Sequence, residues 1–190
     1  MLGEGAAALV LETYENAQAR GARIWAEVAG YGSSSDGFHM TRPQPEGAVR
    51  AIVGSLGSTA PEEVDWIKAH GTGTPANDVS EAQAIRTVFG AGGRRIPVTS
   101  LKATLGHSLG ASGAVEAVAA VLALNGGFIP ATLNLREPDP GCDLDVVRDG
   151  PRPLKARTVL ANAFGFGGNN AAILLRSAGA RPDKGGVHES

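Results

Sequence analysis

Three short clusters in this 190-residue sequence combine residue types that could do chemistry, and each falls where a strand is expected to end. The first runs from Lys68 through His70, Thr72 and Thr74 to Pro75, with Gly71 and Gly73 between the polar residues. Glycine lets a backbone approach a ligand closely, and the threonines place two hydroxyls along one side of an extended segment. A satisfied histidine in a Gly/Thr turn accounts for the same pattern. The second cluster spans Ser100 to Gly113 and sets Lys102 five residues before His107. His107 is expected to open the longest helix, Ser108 to Leu124. The free N–H groups and positive dipole end of a helix favour a neutral imidazole, which can donate a hydrogen bond to a developing oxyanion. A close-packed Ala/Gly/Ser helix with a polar cap explains the small residues equally well, but not the lysine and histidine in an otherwise apolar region. In the third cluster, Asn162 to Asn170, Phe164 and Phe166 alternate with glycines between two expected strands. It reads as an aromatic gate on a flexible loop, or as a bulge or hairpin with buried aromatics.

A competing motif overlaps the second cluster. Gly106-His107-Ser108-Leu109-Gly110 fits the G-x-S-x-G nucleophile elbow of serine hydrolases, and Asp139, Asp143 or Asp145 with His188 would complete the order Ser, Asp, His. The elbow should follow directly on a strand, whereas Lys102 to Leu105 intervene. His188 lies in a stretch whose composition suits a disordered tail, where it could not be held within hydrogen-bond reach.

The elements that must position these groups alternate. Ala6 to Glu12 is an apolar run of strand length, followed by a polar helix, Thr13 to Arg20, stopped by Gly21. Ile24 to Gly30 reads as a strand and Ser33 to Gly37 as a loop. Ala48, Ile52 and Leu56 fall on one face of a helix over Pro45 to Leu56. Val64 to Ala69 is a strand, and Asn77 or Asp78 could cap a helix running to Phe89, ended by Gly90. Ile96 to Leu101 is a strand. After the long helix come four short strand candidates, Ala131 to Leu135, Leu144 to Val147, Val159 to Ala163 and Ala171 to Leu175. Strands alternating with helices, then a run of strands, imply an α/β layered sheet with helices on its faces.

Composition narrows the function classes. Lysine plus arginine (17) nearly balances aspartate plus glutamate (19), so the net charge of -2 gives no electrostatic reason to expect nucleic acid or a polybasic membrane contact. Ser112 and Glu116 interrupt the most apolar helix candidate, so no membrane insertion is expected. Glycine is the outlier at 27 residues, consistent with tight turns and close backbone approaches. The single cysteine, Cys142, allows no internal disulfide and suits a reducing, cytoplasmic setting.

Taken together and in this order, the clusters resemble the β-ketoacyl-(acyl carrier protein) synthases and polyketide ketosynthase domains, condensing enzymes of the thiolase superfamily. The similarity runs from about Leu2 to Arg176 and includes Gly3-Glu4-Gly5-Ala6, Gly30 to Asp36, His70 to Pro75, Lys102 with His107, and Gly165 to Gly168. Ala103 stands where serine is frequent and Asn169 where threonine or histidine is frequent. The resemblance implies a decarboxylative Claisen condensation between an acyl group on a cysteine and a malonyl unit on acyl carrier protein. It assigns His70 and His107 to the malonyl thioester carbonyl and the enolate, and Lys102 to charge balance and to positioning them, with Glu116 in support. Thr72 and Thr74 would bind the phosphopantetheine arm. Phe166, with Phe164 beside it, would gate acyl and malonyl states. No metal or dissociable redox cofactor is implied.

The family's nucleophilic cysteine sits at a strand end against a helix N-terminus, which lowers its pKa. Cys142 lies instead in a Pro/Gly loop with acidic neighbours, and the family has a non-nucleophilic cysteine in similar surroundings. Family chains are about twice this long and comprise two similar halves. The sequence is therefore expected to be the C-terminal half of a thiolase-like fold, completed by a partner chain. In that reading, residues 1–23 belong to the N-terminal half, 24–177 form the C-terminal half, and 178–190 are a disordered tail. Expected partners are an N-terminal-half chain carrying the cysteine, an acyl carrier protein, and a second copy of the completed synthase. The alternatives are a non-catalytic subunit like a chain-length factor, and the serine hydrolase.

Overall fold

The computed structural model describes residues 1–180. Their elements in chain order are α1 (Tyr14–Ala19), β1 (Ala26–Ser35), α2 (Pro45–Leu56), β2 (Trp66–Lys68), α3 (Pro75–Phe89), β3 (Pro97–Thr99), α4 (Lys102–Leu105), α5 (Ser112–Gly126), β4 (Phe128–Ile129), β5 (Asp145–Val146), β6 (Arg152–Pro153), β7 (Thr158–Gly165) and β8 (Asn169–Ser177).

Among the described residues, six strands form one mixed sheet in the order β1-β8-β7-β2-β3-β5, and β4 pairs with β6 beside it. β7, β2, β3 and β5 run parallel; β8 lies antiparallel to β7, and β1 antiparallel to β8. The central strands β2 and β7 are buried on both faces, and side-chain alternation sorts the residues. Ile67, Leu160 and Leu174 face one way, into a cluster with Ile52 of α2 and Ile85 of α3. Their neighbours Trp66, Val159 and Leu175 face the other way, against Ala120, Ala123 and Leu124 of α5. This is the expected α/β sheet with helices on its faces. α2 lies directly on β1: a Cβ at Gly32 would sit 2.1 Å from the Ala51 carbonyl oxygen, so glycine is what permits that approach.

Several boundaries differ from the sequence expectation. Ser33 to Ser35 extend β1 instead of forming a loop. α3 starts at Pro75, because proline fits the first helical position, where its missing N–H is no loss; Asp78 turns back to accept from the Gly73 N–H (3.3 Å). Ala131 to Leu135 is no strand; Thr132 ties it to its surroundings, its N–H donating to the Val147 carbonyl (2.7 Å). The expected strand over Ala6 to Glu12 has no partner strand among the described residues, and Leu9, Val10 and Leu11 are exposed. The segment before it is tied in, since Met1 and Gly3 bond the main chain of His107 on both sides.

α5 begins at Ser112, four residues later than expected, after a 3-10 turn over Leu109–Ala111. By length and composition alone, Leu109–Gly126 would suffice to cross a membrane. Here Ser112 and Glu116 within it are buried, and its alanines cover a sheet face. Of the expected tail, 178–180 form a 3-10 turn, and 181–190, with His188, lie outside the described residues.

Candidate active site

The site lies at the carboxyl ends of the parallel strands β2, β3 and β7, where an open α/β sheet leaves a crevice. His70 follows β2 by two residues, Lys102 opens α4 just after β3, and Phe164 is near the end of β7. Gly71 has φ +47 and would bring a Cβ to 2.6 Å from Ser100 Cβ, so only glycine lets the chain turn away from His70 here. His107 enters from the loop between α4 and the 3-10 turn before α5, not from a helix N-terminus. The His70 and His107 rings meet edge to face with centroids 5.5 Å apart, and Phe164 packs on His70 at 5.7 Å.

Hydrogen bonding fixes the state of His107. The Leu109 N–H donates to Nδ1 (3.2 Å), with the Ser112 hydroxyl at 3.1 Å. An amide can only donate, so Nδ1 accepts and the proton of the neutral ring sits on Nε2. Burial and the Lys102 ammonium lower the His107 pKa. The same causes act harder on His70: burial first, then Lys102, Lys68 and His107, take it from 6.5 to about 2. Both rings are therefore neutral at physiological pH. Nδ1 of His70, but not Nε2, is buried without a partner. Two neutral imidazoles side by side can offer N–H donors to an oxygen that becomes negative.

Beneath them lies a buried polar network. Lys102 Nζ donates to the His70 carbonyl and to Glu116 Oε1, both at 2.6 Å. Glu116 takes a second ammonium from Lys68, which also donates to the Asn162 carbonyl (2.6 Å). Glu81 accepts from the His70 N–H (2.8 Å), the Gly71 N–H (2.9 Å) and the Asn162 amide (3.0 Å). The sequence pointed to His70, His107, Lys102, Glu116 and Phe164, and the fold brings all five together. Thr72 and Thr74 line the same cleft with their hydroxyls 2.8 Å apart, and Phe166 lines it largely exposed. Lys68, Glu81 and Asn162 had no role assigned. Lys68 had a legible signal, since a charge inside the apolar strand Val64 to Ala69 must find a buried partner.

The hydrolase elbow is absent. Ser108 follows the one-turn helix α4 and Gly106, not a strand, and its hydroxyl meets Ser112 (3.2 Å). The positive φ that an elbow gives its nucleophile falls on Leu109. Of the candidate carboxylates, Asp145 is paired with Arg152 and Asp143 with Arg94.

Residues 25–136 match the family model described as "Beta-ketoacyl synthase, C-terminal domain". The chain belongs to this family. It is 50% identical over 179 residues to nodulation protein E of Rhizobium meliloti, covering 93% of this chain and 44% of that protein. It is 49% identical over 179 residues to 3-oxoacyl-[acyl-carrier-protein] synthase 2 of Coxiella burnetii, covering 92% and 43%. Among solved structures, the ishigamide ketosynthase/chain length factor superposes with a TM-score of 0.89 at 47% identity, over 93% of this chain and 44% of the other. The chain thus spans less than half the length of these relatives, and its fold is thiolase-like, as the sequence resemblance implied.

Proposed function

We propose that this domain supplies the decarboxylating half of a condensing site, while polypeptide outside these 190 residues supplies the nucleophilic cysteine. The observation that carries the reading is the His70–His107 pair: neutral, edge to face, with the His107 proton on Nε2 and a buried lysine behind. With its thioester carbonyl held by the two imidazoles, the malonyl group loses its carboxylate as CO₂, and the electron pair of the broken C–C bond delocalises onto that carbonyl as an enolate. Preorganised N–H donors at such an oxygen are each worth about 10²–10³ in rate. The enolate carbon attacks the acyl thioester on the cysteine, expelling its thiolate and leaving a β-ketoacyl thioester on the carrier. Thr72 and Thr74 hydrogen-bond the phosphopantetheine arm, and Phe166, with Phe164 behind it, separates acyl from malonyl states. Lys102 and Glu116 position the histidines. The reading calls for no metal or redox group. It takes an N-terminal-half polypeptide and an acyl carrier protein as partners, and residues 1–23 belong with that half.

The 49% identity to a 3-oxoacyl-[acyl-carrier-protein] synthase supports this substrate class; the exposed Leu9, Val10 and Leu11, in a segment with no partner strand among the described residues, support a partner polypeptide. The test is co-expression with a complementary N-terminal half carrying the cysteine. A stable complex should form, release CO₂ from malonyl-(acyl carrier protein), and lose that activity in His107→Ala. Condensation unchanged by His107→Ala would instead favour a non-catalytic, chain-length-factor-like role. A stable monomer that binds no such half would overturn the proposal.

A further inference from the structure

The hydrogen bonds around His70 close into a ring. From the His70 carbonyl it passes to Lys102, then Glu116, Lys68, Asn162 and Glu81, and returns to the His70 N–H. Its members come from five elements. Lys68 belongs to β2, Lys102 to α4, Glu116 to α5, Asn162 to β7 and Glu81 to α3. α5 covers one face of the sheet and α3 the other. By strand alternation Lys68 shares the α5 face with Trp66, and Asn162 shares the α3 face with Leu160. The ring therefore crosses the sheet at its carboxyl end, and it crosses between the Lys68 ammonium and the Asn162 carbonyl.

We propose that Lys68 is a positioning residue for His70, because it closes the buried ring that grips the His70 main chain at both its N–H and its carbonyl. This rests on the proposed decarboxylating role of His70. Every ionic side chain in the ring is buried: Lys68 is 1% exposed, Lys102 8%, Glu116 3% and Glu81 3%. Two ammonium and two carboxylate groups balance, so no net charge is stranded. A lysine here is costly, since burial disfavours its charged form, and an apolar residue would suit the strand's burial better. Its ammonium keeps both Glu116 oxygens engaged, so that the carboxylate cannot swing and take Lys102 away from the His70 carbonyl. A network of this kind holds its members in one geometry only while every link is made.

The test is Lys68→Met in the assembled complex, with Lys68→Gln as the variant that retains donors without charge. In Lys68→Met, kcat for malonyl-(acyl carrier protein) decarboxylation should fall about tenfold to a hundredfold, the scale of a misplaced reacting group, while KM stays unchanged. Lys68→Gln should recover part of the loss. Hydrogen exchange at the His70 and Gly71 amides should quicken in Lys68→Met by more than the accompanying fall in global stability accounts for. Unchanged kcat together with unchanged exchange would overturn the role of Lys68, and so would a loss that merely tracks global unfolding. If the wild-type complex releases no CO₂, the decarboxylation reading fails, while the exchange measurement still decides whether Lys68 holds His70.

Discussion

His70 and His107 stand edge to face, 5.5 Å between ring centroids and 81° between planes, and the fold keeps His70 uncharged. An unfolded chain protonates this histidine near 6.5; the folded chain does so only near 2, first because of burial and then because Lys102 and Lys68 are close. Between those values the unfolded state binds a proton that the folded state does not. The stabilising contribution is therefore complete above pH 6.5 and drains away as pH falls toward 2. Thermal unfolding midpoints measured across that range should drop less steeply in His70→Gln than in the wild type. Equal slopes would mean that His70 titrates normally in the fold.

Among the described residues, Glu116 is the one carboxylate that both buried ammonium groups touch. Glu116→Gln keeps the shape and leaves those cations facing a neutral amide. Stripping the partner from a buried charge typically costs about 3–5 kcal/mol, so denaturant unfolding should reveal a loss of that order. It should exceed the loss in Lys102→Met, which leaves Lys68 and Glu116 still paired.

Gly32→Ala tests the packing that carries α2. The added methyl would meet the Ala51 carbonyl at 2.1 Å and the Ser55 nitrogen at 2.6 Å, both main-chain atoms that no rotamer change can move. Overpacking of this sort costs about 1–3 kcal/mol, and the unfolding midpoint should fall accordingly. Gly37→Ala, with φ +61 but nothing within 4 Å, separates this clash from backbone strain alone.

Much of this fold was legible because its signals are local. α2 has proline at its start, an apolar face at helical spacing and Gly57 at its end, and its expected bounds are the observed ones. His70 stands out at a strand end, and Lys102 and His107 as charged or polar residues in an otherwise apolar region. What escaped the sequence depends on contacts distant along the chain. Lys68 reaches Asn162 across 94 residues and Glu116 across 48, separations that no periodicity encodes. Ala131 to Leu135 has a strand's composition, but the Thr132 hydroxyl oxygen accepts from the Ser100 N–H (2.9 Å) and Asn134 takes φ +65, so a turn forms in place of a ladder. Residue spacing puts His107 on a helix end because it does not encode Gly106 (φ +72) and the following 3-10 turn.

Phe166 is 69% exposed at the turn between β7 and β8, whereas Phe164 packs on the His70 ring. Truncation at an exposed site should move stability by no more than about 0.5 kcal/mol. In the assembled complex, Phe166→Ala should therefore fold like the wild type while losing the order of acyl and malonyl loading, read as malonyl decarboxylation uncoupled from condensation. Tight coupling retained in Phe166→Ala would remove the gate from the mechanism.

Cys142 lines the same cleft as both histidines, so the proposal that the nucleophile is another cysteine rests on the chemistry of Cys142. Burial raises its thiol pKa first, and the nearby Asp78 and Asp139 carboxylates raise it further. Only the thiolate attacks a thioester, and an activated cysteine needs the opposite surroundings. Cys142→Ser in the assembled complex should leave condensation intact, and iodoacetamide should label Cys142 with a pH midpoint above that of an ordinary thiol. Acyl transfer from an acyl thioester onto Cys142 of the 190-residue chain would place the nucleophile inside this polypeptide and remove the need for a cysteine from outside it.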